Sequence, residues 1–311
     1  MLTPGPSDLD LVVRAAWLYH SDGLTQAQVA ERLFVSRQTV GRLLEAARQQ
    51  GIVRIELDAS QLAAMGLATQ VRERLGLAEA VVVPAAVGRL SRERTNERVA
   101  LALAAWVRRH LHPGVVVGVG WGESVARALS LLPPQSLDGV TLASTTGTIR
   151  NVAELVSENP TAVRRLRTVP APLFVSSATL AAALRQEAAV REVFDLARTA
   201  AVTLTGVGAV IPDGSAVRTG MVTNDEVAEL AARGAVGDML GEWFDAQGRI
   251  VASAVSDRRI GLDLELLRGL PHVVGIAAGA TKVPAIRGAV AGGYLKVLVT
   301  DEPTAEALLA P

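Results

Sequence analysis

The chain has 311 residues, of which 50% are apolar and 20% are charged, and its formal net charge is zero. This composition predicts a folded protein with room for two unequal domains and excludes a disordered chain. The chain has no cysteine, which excludes disulfides and thiolate metal sites. The four histidines, at 20, 110, 112 and 272, lack the i, i+4 spacing of a zinc helix, so we expect no metal and no other cofactor.

The location of the protein follows from its apolar segments. No basic segment followed by an apolar stretch stands at the N-terminus, and apolar runs such as 115–119 stop at strand length. A membrane span needs about 20 apolar residues, so we expect a cytoplasmic protein without a membrane partner. Because the net charge is zero, any contact with nucleic acid must come from a local surface.

In chain order, the predicted elements form three parts. Residues 1–58 predict short helices and a strand at 52–57, residues 59–78 a linker or oligomerisation helix, and residues 79–311 a larger domain. In that domain apolar strand-like runs alternate with helical segments, which indicates an α/β fold with a doubly wound, mostly parallel sheet. The predicted strands are 80–83, 115–119, 140–143, 173–175, 202–207, 273–277 and 295–300.

Residues 25–51 predict two capped helices joined by a short turn. Thr25 and Gln28 have capping-box spacing, and Ser36 can cap the second helix. Polar residues on the first turns of that helix suit a recognition helix in the major groove, where Arg pairs with guanine and Gln with adenine. The alternative is an ordinary solvated helix pair. The candidate DNA-binding residues are Thr25, Gln26, Ser36, Arg37, Gln38, Thr39 and Arg42.

Glycine-rich loops follow several predicted strands, where open α/β sheets bind their ligands. The loop at 118–124 leads into a helix whose backbone N–H groups can hold a phosphate, although a tight turn without a ligand is an equal alternative. Further loops lie at 144–148, 206–208 and 275–282, and Lys282 stands at a helix start. Residues 237–245 predict a strand that enters a tight turn, and Asp238 there can accept hydrogen bonds from sugar hydroxyls.

The string LTQAQVAERLFVSRQTVGRLLEAARQQGIV, at residues 24–53, closely resembles the helix-turn-helix of the SorC/DeoR-type sugar-responsive bacterial regulators. Residues 60–310 resemble the sugar-binding domain of the same family, most clearly in the segment 278–305. The resemblance implies a winged-helix-like DNA-binding domain and an effector domain akin to sugar-phosphate isomerases. It also implies a site for a phosphorylated sugar or polyol.

Carried over residue by residue, the family's phosphate loop falls on 120–124, its phosphate-facing lysine on Lys282 and its acidic hydroxyl-binding residue on Asp238. Arg218 aligns loosely with a family arginine near the ligand. Glu123 departs from the pattern, because a carboxylate aimed at a phosphate would repel it; either Glu123 points away or the ligand is not phosphorylated. The candidate effector residues are Gly120, Gly122, Glu123, Ser124, Thr146, Gly147, Gly206, Gly208, Arg218, Asp238 and Lys282.

Two classes of function fit these patterns. The favoured one is an effector-controlled transcriptional regulator that binds operator DNA as a homodimer or homotetramer. The alternative is a sugar-phosphate isomerase-like enzyme with an appended DNA-binding domain, but only Glu123 and Asp238 could serve as its base, so we predict no catalytic residue. A dinucleotide redox sensor ranks below both, because no acidic residue follows the strand at 140–143.

Overall fold

The structure is a computed structural model that describes residues 6–53, 59–86, 88, 91–149, 158–212 and 214–310. The chain divides into two compact units, Met1–Asp58 and Ala59–Pro311. The boundary falls where the apolar pattern of the three short helices ends and the long helix begins.

The first unit contains α1 (Pro6–His20), α2 (Gln26–Leu33) and α3 (Arg37–Gln49). The side chain of Thr25 accepts a hydrogen bond from the Gln28 N–H, and the Gln28 side chain accepts from the Thr25 N–H at 2.9 Å, which completes the predicted capping box. The Ser36 hydroxyl accepts from the Thr39 N–H at 3.0 Å and starts α3. Buried apolar side chains from all three helices form one small core: Ala15, Val29, Ala30, Leu33, Val40 and Leu44.

In the second unit α4 (Ala59–Leu75) precedes a seven-stranded sheet. The strands of this sheet are β1 (Glu79–Val83), β2 (Val116–Val119), β3 (Thr141–Thr148), β4 (Leu166–Pro172), β5 (Val202–Gly206), β9 (His272–Ile276) and β10 (Val297–Asp301). Their order is β1-β10-β9-β5-β2-β3-β4, and every pair is parallel. A second, antiparallel sheet consists of β6 (Gly208–Ala209), β7 (Ala235–Met239) and β8 (Glu242–Asp245).

Helices follow most strands, as a parallel sheet requires. They are α5 (Arg92–Arg108), α6 (Glu123–Ser130), α7 (Pro160–Arg165), α8 (Ala178–Gln186), α9 (Ala188–Arg198), α10 (Ser215–Arg218), α11 (Asn224–Ala232), α12 (Ala254–Asp257), α13 (Leu264–Leu267), α14 (Val283–Ala291) and α15 (Glu302–Leu309).

The large sheet is buried on both faces. Val273 and Leu298 belong to a core shared with side chains of α4, α9, α14 and α15, whereas Val274 and Val299 belong to a core shared with α5 and α6. Adjacent residues of one strand thus enter opposite cores, because side chains alternate across a strand. This arrangement confirms the predicted doubly wound, mostly parallel sheet.

The predicted strand at 173–175 is wrong. The strand lies upstream, as β4 (Leu166–Pro172), and Phe174 makes only an isolated bridge to Arg259. Being at the sheet edge, β4 is buried mainly on one face, so its sequence alternates instead of forming a continuous apolar run.

Two other segments also differ from prediction. Residues 144–148 are not a loop, because β3 continues through Thr148 and pairs with β4 there. Residues 237–245 hold two strands, β7 and β8, joined by Leu240 and Gly241, which both have positive φ as a tight hairpin turn requires. Of the predicted strand at 52–57, residues 52 and 53 lie in a bend and 54–57 lie outside the described residues.

Candidate functional site

The central strands of the large sheet create the candidate effector site. From β2 the sheet continues through β3 and β4 on one side, and through β5, β9 and β10 on the other. Ligands of open α/β sheets bind where the strand order reverses in this way. The segments that follow β2, β5 and β9 line an open cavity with about 570 Å³ of empty space, part of which is open to solvent. Six predicted residues line it: Gly122, Glu123, Ser124, Gly206, Gly208 and Lys282.

One wall of the cavity is the N-terminus of α6. Gly122 precedes this helix with a φ of 147°, a conformation that favours glycine, and no side chain caps the helix. The first backbone N–H groups of α6 thus have no side-chain acceptor among the described residues, and the helix dipole places positive partial charge there. This wall can accept an anion.

Glu123 is exposed at the same helix end. Its Oε1 lies 3.7 Å from Nη2 of Arg127, and Nη1 of Arg127 lies 3.3 Å from Oε1 of Glu97. An ion pair at i, i+4 runs along the helix surface. Part of the negative charge of Glu123 is therefore compensated by Arg127, which reduces the repulsion that the sequence predicts between Glu123 and a phosphate.

Lys282 lines the same cavity. It ends a short 3₁₀ turn (Ala280–Lys282) before α14, and its Nζ donates a hydrogen bond to the Val207 carbonyl at 2.8 Å. An ammonium group has three donors, and the other two have no partner among the described residues. Burial lowers the pKa of Lys282, the charge of Asp238 raises it, and the positive charge of Arg92 lowers it.

Asp238 does not line the cavity. It is 3% exposed and lies on β7 directly opposite Gly208 of β6, where a Cβ on Gly208 would collide with its Oδ1. Its Oδ2 has no hydrogen-bond partner among the described residues. Burial raises the pKa of Asp238 to about 6, against the opposing effects of the Lys282 charge and the Gly241 N–H. Asp238 thus lies beside Gly208, which lines the cavity, and acts on Lys282 through its charge.

Four other predicted residues lie away from this cavity. Gly120, Thr146 and Gly147 line a neighbouring pocket that shares Trp121 with it. Thr146 and Gly147 lie there because β3 extends past them to Thr148, and Gly120 directly follows β2. Arg218 is at the exposed end of α10, whereas Ser215 at the start of that short helix lines the cavity.

Eight lining residues are not among the candidates from the sequence. Five of them lie within the predicted loops, namely Trp121, Val207, Ile276, Ala277 and Ala278, and three lie outside those loops, namely Arg92, Asn96 and Ser215. Arg92 and Asn96 share one face of α5, whose N-cap is Ser91. The cap could have been recognised from the sequence, but the position of this helix beside Lys282 depends on tertiary packing.

The candidate DNA-binding surface is the N-terminal end of α3 in the first unit. Arg37, Gln38 and Arg42 are exposed and make no hydrogen bond or ion pair within the described residues. At the other end of the helix, Arg48 is paired with Glu45 at 2.5 Å. Among the other predicted contacts, Thr25 and Ser36 are exposed, Gln26 and Thr39 are half-buried, and the Thr39 hydroxyl lies 2.8 Å from that of Ser36.

Comparisons with known proteins agree with both units. The profile of the Sugar-bind family, a sugar-binding domain, matches residues 60–310, and the MarR family profile matches residues 15–61. The transcriptional regulator LsrR of Klebsiella pneumoniae is 36% identical over 309 residues, which cover 97% of this chain and 93% of LsrR. LsrR of Escherichia coli K12 is 34% identical over 313 residues, with 98% and 96% coverage.

Solved structures show the same fold. The full-length sorbitol operon regulator SorC from Klebsiella pneumoniae has a TM-score of 0.71 and 28% identity, covering 98% of this chain and 100% of SorC. A DeoR family transcriptional regulator from Listeria monocytogenes has a TM-score of 0.72 at 23% identity, covering 79% of this chain and 99% of that one. No helix among the described residues has the length and apolar character needed to cross a membrane.

The buried carboxyl of Asp238 predicts a pH dependence of stability. Its pKa is about 6 in the folded chain against an ordinary 3.8, so the folded state holds the proton more tightly. The stability gained from Asp238 is therefore greatest below about pH 4 and is lost as the pH rises toward 6. Relative to Asp238→Asn, the wild-type free energy of unfolding should fall by on the order of 2 kcal/mol between pH 4.5 and 7. Urea unfolding at a series of pH values measures this difference.

Asp245→Asn is the control, because hydrogen bonds from Arg249 and Gln247 lower the pKa of Asp245. The stability that Asp245 contributes is present above its ordinary pKa of 3.8 and is lost only as the pH falls below that value, so the control should stay nearly flat between pH 4.5 and 7. If the difference in free energy of unfolding between wild type and Asp238→Asn did not vary with pH, the pKa of Asp238 would be the same in the folded and unfolded chains. That result would contradict the raised pKa that burial causes.

Proposed function

The chain belongs to the Sugar-bind family of transcriptional regulators, and we propose that a sugar phosphate or polyol phosphate in the cavity at the ends of β2, β5 and β9 controls its binding to operator DNA. The chain is a DNA-binding regulator whose first unit is a helix-turn-helix and whose second is a sugar-binding effector domain. One observation supports an anionic effector: Lys282 and the uncapped N-terminus of α6 line the same cavity.

The effector's phosphate is held between these two groups. Two of the three N–H donors of the Lys282 ammonium group have no partner among the described residues. The backbone N–H groups of residues 122–124 favour an anion at the start of α6. Ser124 and Ser215 can hydrogen-bond the remaining oxygens, and Arg92 adds a second positive charge. The charge of Asp238, which lies beside Gly208, raises the pKa of Lys282 and so offsets part of the effect of burial. In this proposal Asp238 does not contact the sugar hydroxyls, unlike the role that the resemblance implies.

We propose that this domain binds its effector without converting it. An isomerase needs a base that can reach the substrate. In the part of the cavity wall that the structure describes, Glu123 is paired with Arg127, and Asp238 lies beside Gly208. Neither carboxylate suits proton abstraction, so the isomerase alternative has little support.

We also propose that the regulator acts in the cytoplasm as a homodimer or homotetramer. One helix-turn-helix with three unpaired polar side chains offers few contacts to DNA, and the zero net charge adds no general attraction. Binding two half-sites at once converts the second contact into an intramolecular one and raises affinity.

Light scattering at micromolar concentration tests the oligomeric state. We expect a mass two or four times that of the 32.5 kDa chain, and the same state bound to one duplex. A monomeric mass both with and without duplex DNA would rule out this assembly.

Replacing Arg37, Gln38 and Arg42 together by alanine should abolish specific operator binding. Each side-chain contact to a base is worth about 1–3 kcal/mol, so the triple variant should bind at least ~100-fold more weakly, with a smaller salt dependence. Fluorescence anisotropy with a duplex selected from a random library by the wild-type chain measures this loss. Arg48→Ala, on the same helix but paired with Glu45, should bind nearly as well as wild type. Unchanged affinity in the triple variant would reject α3 as the recognition helix.

Replacing Lys282 by Met should weaken a phosphorylated effector by about 1.5–3 kcal/mol, roughly 10- to 150-fold, because one charge-assisted hydrogen bond is lost. A thermal-shift screen of pentose and hexose phosphates and their free sugars identifies the effector, and calorimetry then measures affinity. Lys296→Met is the matched control, since the chain has two lysines and Lys296 donates instead to the Leu270 carbonyl. DNA affinity without effector should stay nearly unchanged in both variants. Equal effector affinity in wild type and Lys282→Met would refute the phosphate site.

A further inference from the structure

Two non-glycine residues in the described chain have a positive φ, Phe34 at 55° and Leu240 at 53°. This left-handed conformation is unfavourable for residues with bulky side chains. Leu240 is completely buried, and its side chain packs so close to Gly120 that a Cβ there would lie 2.7 Å from it. The core therefore compensates the strain at Leu240. Phe34 is 95% exposed and has no such compensation.

The tight turn of the helix-turn-helix imposes this conformation on Phe34. α2 ends at Leu33, and the N–H of Val35 donates back to the Ala30 carbonyl at 3.0 Å. This pattern ends a helix through one left-handed residue, for which glycine is the usual choice. Leu33 and Val35, on either side, point into the small core of the unit, but the Phe34 ring does not take part in it. The side chain of Phe34 is thus not packed against the core of this unit.

The position of Phe34 relates it to the DNA-binding surface. It stands two residues before Ser36, the N-cap of α3, and three before Arg37. In helix-turn-helix proteins the N-terminal end of the recognition helix enters the major groove. The exposed ring therefore lies at the end of α3 that carries the unpaired polar side chains Arg37 and Gln38.

We propose that Phe34 packs on thymine methyl groups at the edge of the major groove and helps determine operator sequence. The inference rests on the proposed function of α3 as the recognition helix. Aromatic and other apolar side chains recognise thymine through its 5-methyl group, which no other base carries. Duplex DNA is a better occupant than a protein, because one ring among the exposed polar residues Ser36, Arg37 and Gln38 is too small an apolar patch for a stable protein interface.

The test combines variants of the full-length chain with changes in the DNA. The probe is a duplex selected from a random library by the wild-type chain, in which each thymine is replaced in turn by deoxyuridine, so that only the methyl group is lost. We expect the wild-type affinity to fall about threefold or more at one thymine of each half-site, and Phe34→Gly to be insensitive to the same replacement. Phe34→Gly should bind the unmodified duplex at least ~5-fold more weakly, with an unchanged salt dependence, because no phosphate contact is lost.

Hydrogen exchange of the amides in α2 and α3 separates this effect from a loss of folding. Glycine suits the left-handed turn, so protection in Phe34→Gly should be equal to or higher than in wild type. Leu180→Ala, which removes an exposed apolar side chain of the second unit, is the control and should change neither readout. Unchanged affinity in Phe34→Gly, a loss that accompanies lower protection, or equal sensitivity of both chains to deoxyuridine would each overturn the proposal. If the wild-type chain selects no duplex, the proposed function itself fails.

Discussion

Parallel pairing of β2, β5 and β9 is the constraint on which the proposed effector site depends. Parallel strands end at the same edge of a sheet, so three segments far apart in the chain meet there. Each segment brings a different kind of group: backbone N–H groups before α6, glycines after β5 and a lysine after β9. None of them could bind a ligand firmly alone. The site is a consequence of strand order, and the two buried faces of the sheet hold that order rigid.

The charged groups of this site lie both at the cavity wall and in the buried interior. Lys282 and Arg92 line the cavity, whereas Asp238 is buried and interacts with Lys282 through its charge. Burial alone disfavours the charged form of both Lys282 and Asp238, and their opposite charges offset part of that cost. An entering anion would add a second negative charge that favours the ammonium form of Lys282. A buried carboxylate with one unpartnered oxygen destabilises the fold. We infer that Asp238 serves to raise the pKa of Lys282 against the effect of burial.

Local chemistry made part of this architecture predictable from the sequence. The caps at Thr25 and Ser36 depend on contacts within four residues, and the central strands are apolar because both of their faces are buried. Prediction failed where neighbours distant in sequence decide the outcome. The sequence pattern predicts β4 in the wrong place because an edge strand lacks a continuous apolar run. It predicts a loop at Thr146 because only pairing with β4 extends β3 that far. The burial of Asp238 follows from β6 lying against β7, and the position of Arg92 from the packing of α5.

Gly208 and Gly122 differ from the other residues of the cavity in how freely they could vary. A side chain at Gly208 would displace Asp238, and Gly122 adopts a φ of 147° that other residues rarely adopt. Asn96 and Ser215 are only half-buried, Arg92 is exposed, and none of the three side chains makes a hydrogen bond within the described residues. Exchange of these rim side chains can therefore redirect the cavity to a new metabolite. At Arg92 and Ser215 such an exchange would also change the contacts proposed for the phosphate, whereas Gly122 and Gly208 stay fixed. Chemical diversity among relatives of this fold should concentrate at such rim positions and spare the glycines beneath them.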